Sequence, residues 1–330
     1  MKPSQSAGEN PACSLRTKYK AKLMSSLNTN ASAMTALQTL AATNKNLATV
    51  QNRIATGFRV SEAKDNAAYW SIATTMRSDN KANSVLQDNL GLGAGKVDVA
   101  YTAMNKALEI TDKIKEKVLM AKTASSEDRT KIQSEIDTYV AQLEDNISGA
   151  NYAGANLLKT NSGVVNDKLV ILSSYTRDTA GAVTTGKIEV DLTDIRLIDS
   201  NGTPTGILNG TNTTSGVSLM GINVSTLAGV TGATEADKYD NLLTHVEKVL
   251  VDLSNGAANL GAAKSRIDMQ KDFVSNLQDA IDRGVGQLVD ADMEAESARL
   301  SALQVQQQLG IQALSIANSN TQNILSLFRS

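Results

Sequence analysis

Residues 27–57 read LNTNASAMTALQTLAATNKNLATVQNRIATG, and residues 285–327 read VGQLVDADMEAESARLSALQVQQQLGIQALSIANSNTQNILSL. In the first, Leu27, Ala31, Met34, Leu37, Ala41, Leu47, Val50 and Ile54 recur every three or four positions, apart from a gap at Asn44. That is the period of one face of an α-helix, and Gly57 is a natural end for it. The second segment is apolar on more than one face. One stripe is Val285, Leu288, Ala291, Ala295, Ala298, Ala302, Val305, Leu309 and Ile316; an offset one is Leu300, Leu303, Ile311, Leu314 and Leu325. A helix with one neighbour needs one apolar stripe, so two stripes imply several helices packed around it.

Working inward, helical stretches are expected from about Ala63 to Leu86, and from Val97 to Val118 after or through the glycines Gly91, Gly93 and Gly95. Ser125, Ser126 and Glu127 mark another start, before Ile132, Ile136, Tyr139, Leu143 and Ile147. Between about Thr160 and Thr234 the character changes: ten of the 22 glycines fall there, with Pro204 and many threonines. Short runs at Leu169–Leu172, at Ile188, Val190 and Leu192, and at Val217, Leu219 and Val224 read as strands joined by turns. Helical order resumes near Glu235, with Leu242, Val246, Val249 and Leu253 in one stripe and Ile267, Phe273, Val274, Leu277 and Ile281 extending it. The fold expected is mainly α: a long antiparallel coiled-coil-like helical bundle formed by both chain ends, with a small inserted β-containing domain.

Composition narrows the function. Aromatic residues are 3% of the chain and prolines number three, which suits long helices packed through small aliphatic side chains. A net charge of -2 without a basic patch argues against nucleic acid. The lone cysteine, Cys13, forms no internal disulfide and no thiol cage. The sole histidine, His245, is read as a surface or rim residue rather than a general base, and no second histidine is present to hold zinc. The glycines at 91–95 lack the preceding strand of a dinucleotide loop. Asp290, Asp292, Glu294 and Glu296 lack the spacing of a calcium loop and are read as a solvated helical face. No catalytic, cofactor or metal site is expected. No run of 18 apolar residues is present, and the N-terminus lacks an apolar signal region.

The first 23 residues stand apart, with five basic residues against one acid, two of the three prolines and Cys13. They read as a disordered extension, either a tail or a stretch ahead of a true start at Met24.

The end segments resemble bacterial flagellin. Arg53-Ile54-Ala55-Thr56-Gly57-Phe58-Arg59-Val60-Ser61-Glu62-Ala63-Lys64-Asp65-Asn66-Ala67-Ala68 is similar to that family's N-terminal motif, and Ser265-Arg266-Ile267 to a tripeptide near its C-terminal end. Asp290-Ala291-Asp292-Met293-Glu294-Ala295-Glu296 resembles its D-A-D segment, with Glu294 where many members have Ala. Asn323-Ile324-Leu325-Ser326-Leu327-Phe328-Arg329 resembles its terminus, and Asp65–Ala73 the version found in α-proteobacteria such as rhizobia. The resemblance implies a non-catalytic subunit that polymerises with itself into the extracellular flagellar filament used for swimming. It implies export by the flagellar type III apparatus, and as partners that apparatus, an export chaperone, and hook-junction and cap proteins. A hook–filament junction protein and a non-motility surface protein are the alternatives.

On this resemblance residues 24–66 are an N-terminal inner-core helix, 67–159 and 235–282 the two parts of a helical domain, 160–234 a variable outer domain and 283–330 a C-terminal inner-core helix. The expected polymerisation residues are Leu27, Met34, Leu37, Leu47, Val50, Arg53, Ile54, Gly57, Arg59, Leu300, Leu303, Val305, Leu309, Ile311, Leu314, Ile316, Leu325 and Leu327. Both ends are expected to gain order when neighbouring copies bury the second stripe. The segment matching the one that the mammalian innate receptor reads in many flagellins contains Lys113, Lys115, Glu116, Lys117 and Met120. Lys117 stands where an apolar contact is usual, implying weak recognition. Tyr69 and Trp70 imply the same for plant sensing of residues 51–73. Thr211–Thr214 is read as a solvated loop open to O-glycosylation.

Overall fold

The computed structural model describes residues 30–163, 167–178, 180–201 and 204–327, with side chains up to residue 319 at the C-terminal end. Expectations for residues 1–29, Leu27 and Met24 among them, and for the side chains of Leu325 and Leu327 lie outside it. The described chain forms two compact units: residues 30–70 together with 289–327, and the described residues within 71–288.

In the first unit, helix α1 (Ala31–Thr56) runs antiparallel to helix α5 (Met293–Leu327). Asn30 caps α1 by accepting from the Ala33 amide at 3.0 Å, and Gly57 ends it at φ 74°, a left-handed conformation that costs glycine nothing. Asp292 caps α5, accepting from the amides of Glu294 and Ala295 at 3.1 Å each. Three contacts fix the antiparallel register. The Asn30 amide side chain donates to the Ala317 carbonyl (2.9 Å), Gln307 donates to Asn44 (2.8 Å), and Arg53 donates to Glu296 (3.1 Å).

In the second unit, α2 (Ala67–Thr123, in this unit from Ser71 on) and α4 (Glu235–Val289) lie antiparallel. Lys122 pairs with Asp240, Lys115 with Glu247 and Lys264 with Asp98, and Asn80 donates to Asp282. α3 (Ser126–Gly149), capped by Ser125 as its sequence predicts, packs beside them. The shared core is aliphatic: Val97, Met104, Ile114 and Val118 from α2; Ile136, Leu143 and Ile147 from α3; Leu242, Val246, Leu253 and Leu260 from α4.

The insert is small. Strand β1 (Lys159–Thr160) pairs in parallel with β4 (Ile198–Asp199), and β2 (Lys168–Arg177) forms an antiparallel hairpin with β3 (Val183–Asp191), with an irregularity between Leu172 and Ser174. The architecture is therefore mainly helical with a strand-containing insert, as expected.

Of the two expectations for Gly91, Gly93 and Gly95, the second holds: α2 runs unbroken through them. A Cβ built on Gly93 would lie 2.5 Å from Ile171 Cδ1, and one on Gly95 2.7 Å from the Tyr152 ring, so these glycines give the insert close access to the helix. Residues 217–224 hold a single 3-10 turn (Leu219–Gly221) rather than a strand. The C-terminal segment is not one helix, because the chain breaks between Val289 and Met293. His245 is buried, 3% exposed, not at the surface or rim. Glu296 is buried too, unlike the solvated acids beside it.

Candidate polymerisation surface

The break between α4 and α5 faces the end of α1. Phe58 and Asp290 form an isolated antiparallel bridge, the Ala291 amide donates to the Gly57 carbonyl (2.9 Å), and the amides of Arg59 and Val60 donate to Val289 O (2.7 and 3.2 Å). Asp65 then ties off the following turn by accepting from the Ser61 and Glu62 amides, at 3.1 and 3.2 Å. The Glu62 amide, aided by Ser61, holds the Asp65 carboxyl below the usual range against the smaller upward push of burial. Asn66 caps α2 through the amides of Ala68 and Tyr69. The stretch 53–68 is thus a corner in which the side chains of Thr56, Asp65 and Asn66 bond to backbone. Among the residues expected to contact other copies, Arg53 and Gly57 are committed to this corner within the chain.

Between α1 and α5 the half-buried and buried positions are Ala33, Ala36, Leu40, Thr43, Leu47, Val50 and Ile54 on one side, with Arg53 half-buried beside Ile54. On the other they are Glu296, Leu300, Leu303, Gln307, Gly310, Leu314 and Ala317. Both runs alternate steps of three and four, a heptad seam. A Cβ on Gly310 would meet Leu40 Cδ1 at 3.3 Å, which shows how closely the helices approach. Leu47, Val50, Ile54, Leu300, Leu303 and Leu314 are therefore seam residues. The gap at Asn44 is filled by its bond from Gln307 across the seam.

The rest of the expected surface points outward. Met34 and Leu37 on α1 are 63% and 59% exposed, and Val305, Leu309, Ile311 and Ile316 on α5 are 54–62% exposed. On α5 the exposed Ala295, Ala298, Ala302, Val305, Leu309 and Ile316 keep their own heptad spacing on a face separate from the seam. The exposed threonines of α1 add to this apolar character. Thr35, Thr39, Thr49 and Thr56 donate their hydroxyls to carbonyls four residues back, at 2.8–3.1 Å. With those protons already bonded, burying these side chains against another helix would leave no donor unmet.

Sequence reading missed Ala33, Ala36, Leu40 and Thr43. Their heptad spacing was the available signal, hidden because the stripe was drawn through the larger Met34 and Leu37. Glu296 was missed because its partner Arg53 lies 243 positions away.

In the receptor-matching segment of α2, Lys113 pairs with Glu109 at 3.3 Å, Lys115 with Glu247, and Lys117 with Glu135 of α3, while Glu116, Leu119 and Met120 are exposed.

The two long helices close on one apolar seam, and α5 carries a second apolar stripe that no described part of the chain covers. The family models for the bacterial flagellin N-terminal helical region and C-terminal helical region match residues 27–162 and 243–328. A flagellin of Brucella melitensis is 54% identical over 306 residues, covering 93% of this chain and all of that protein. Flagellin C of Rhizobium meliloti is 43% identical over 321 residues, with the same coverage. A crystal structure of Bacillus cereus flagellin matches at a TM-score of 0.39 and 14% identity, over 56% of this chain and 88% of that one. This chain belongs to the bacterial flagellin family, and it is a structural subunit of the flagellar filament.

Proposed function

We propose that the outward faces of α1 and α5 are the surfaces through which copies of this chain join. The observation that carries this reading is the exposed heptad stripe of α5, Ala295 to Ile316, lying apart from the seam that already binds α1. An open helical polymer requires a surface not consumed within the subunit, and a regular apolar helix face provides it. Each large apolar residue buried there contributes roughly 1.5–3 kcal/mol. On this reading Met34, Leu37, Val305, Leu309, Ile311 and Ile316 make the contacts between copies. Leu47, Val50, Ile54, Leu300, Leu303 and Leu314 make the pair that presents them. The test is seeded elongation of purified monomer carrying polar substitutions in the first set.

The same reading makes the segments 24–66 and 283–330 the inner core, with α1 and α5 as its helices, 67–159 and 235–282 the surrounding helical layer and 160–234 the outer domain. It places the subunit outside the cell after flagellar type III export, without catalytic chemistry of its own. Its other partners are then the export apparatus, an export chaperone, and the hook-junction and cap proteins. No helix among the described residues is long and apolar enough to cross a membrane. Recognition by the mammalian receptor is weak on this reading, because Lys117 is spent on Glu135 and supplies no apolar contact. A cell-based receptor assay with monomer tests it, a robust response counting against the proposal.

A further inference from the structure

We infer that His245 and Asn212 form an acid-operated latch holding the 212–217 loop of the insert against α4. The Asn212 side-chain amide donates to His245 Nδ1 at 2.9 Å, so Nδ1 is the acceptor and the ring proton sits on Nε2. Nε2 is buried and has no hydrogen-bond partner among the described residues. Asn212 also organises its own loop. Its Oδ1 accepts from the Thr214 amide (2.8 Å), and its carbonyl accepts from Gly216 (2.8 Å). Ser215, at the loop's centre, is fully buried.

Protonation of the imidazole puts an N–H on Nδ1, directly facing the Asn212 NH2. Two donors at that separation repel. Flipping the amide would satisfy the ring but turn the NH2 toward the Thr214 amide, losing that bond instead. Either outcome removes one of the two bonds that the Asn212 side chain makes. The charged groups acting on the ring are Lys248 and Asp252, both on α4, and residues 209–217 carry no charge. Burial first, then Lys248, push the imidazole pKa below its ordinary 6.5, with Asp252 opposing. The sign follows. The folded state holds the neutral ring and the unfolded chain binds the proton more readily, so the latch is fully stable above pH 6.5 and weakens as pH falls below it.

The chain has one histidine, so a single imidazole signal in the NMR spectrum of the full-length monomer belongs to His245. The experiment follows that signal and amide exchange over residues 212–217 between pH 7.5 and 4.5, corrected for intrinsic exchange. The expected result is loop exchange at least about tenfold faster at the acid end, about 1.4 kcal/mol, rising in step with the imidazole titration. His245→Asn keeps a neutral acceptor near Nδ1 and should abolish the pH dependence. Asn212→Ala should leave the loop weakly protected at every pH. A ring that titrates while loop protection stays constant would overturn the proposal, as would loop opening over the same range in His245→Asn. If His245→Asn does not fold, the wild-type titration and Asn212→Ala still decide between these outcomes.

Discussion

The guanidinium of Arg53 on α1 donates to the carboxylate of Glu296 on α5 at 3.1 Å, and Arg299 approaches the same carboxylate oxygen at 3.6 Å. Glu296 is 7% exposed, and its second oxygen is buried without a partner among the described residues, so Arg53 is the main compensation for a charge taken out of water. The pair sits where α1 gives way to the Gly57 corner.

Arg53→Ala should therefore destabilise the α1–α5 unit by about 3 kcal/mol, because it strands a buried carboxylate that Arg299 only partly serves. Arg53→Ala combined with Glu296→Gln should recover part of that loss. Thermal unfolding of filaments, followed by circular dichroism, checks both, and a single variant that melts with the wild type would contradict the assignment.

Seam and outward face separate in a second comparison. Leu303→Ala deletes a side chain buried between α1 and α5 and should cost about 2–4 kcal/mol. Val305→Ala, two residues on and exposed, should change the stability of the isolated chain by less than about 0.5 kcal/mol. Equal losses from the two in urea denaturation of monomer would show that the seam is drawn on the wrong face.

The glycines of α2 give opposite expectations. Gly91 has open space around its Cα, so Gly91→Ala should stabilise the helix by about 0.5–1 kcal/mol. Gly93→Ala pushes a methyl into Ile171 and should destabilise by about 1–3 kcal/mol, chiefly by lifting the hairpin. Melting temperatures of the two variants should shift in opposite directions.

Acid should act on the insert through Asp199. Burial pushes its carboxyl up, but bonds from Ser162 first, then Asn201 and Thr205, outweigh it and leave the group well below the ordinary range. A depressed folded pKa means this contribution is complete above 3.8 and is lost as pH falls below it. Asp199→Ala should destabilise the insert by about 2–3 kcal/mol at neutral pH and flatten the acid limb below pH 4. Amide exchange over residues 159–209 as a function of pH measures it.

Much of this was legible in the sequence because long helices repeat their pattern. The core stripe of α4 from Leu242 to Leu253 and the cap at Ser125 appear in the structure where periodicity and capping rules put them. What escaped was set by distant or small groups. Ala33, Ala36 and Thr43 carry little hydrophobic signal, yet closely packed helices need small residues at the seam. The break at residues 290–292 contains no proline or glycine. It forms where the Gly57 corner supplies backbone partners, a long-range cause invisible to local rules. The burial of His245 escapes local rules because histidine is only intermediate in its tendency to be buried, and its partner Asn212 lies 33 positions away in a loop.

The central claim is that the outward stripe of α5 joins one copy to the next, and seeded elongation of the double variant Leu309→Gln, Ile316→Gln tests it most directly. Filament fragments of the wild type are mixed with wild-type or variant monomer, and growth is followed by light scattering and electron microscopy. The account predicts that the variant monomer melts with the wild type but fails to extend the seeds. Elongation by the variant at the wild-type rate would contradict it.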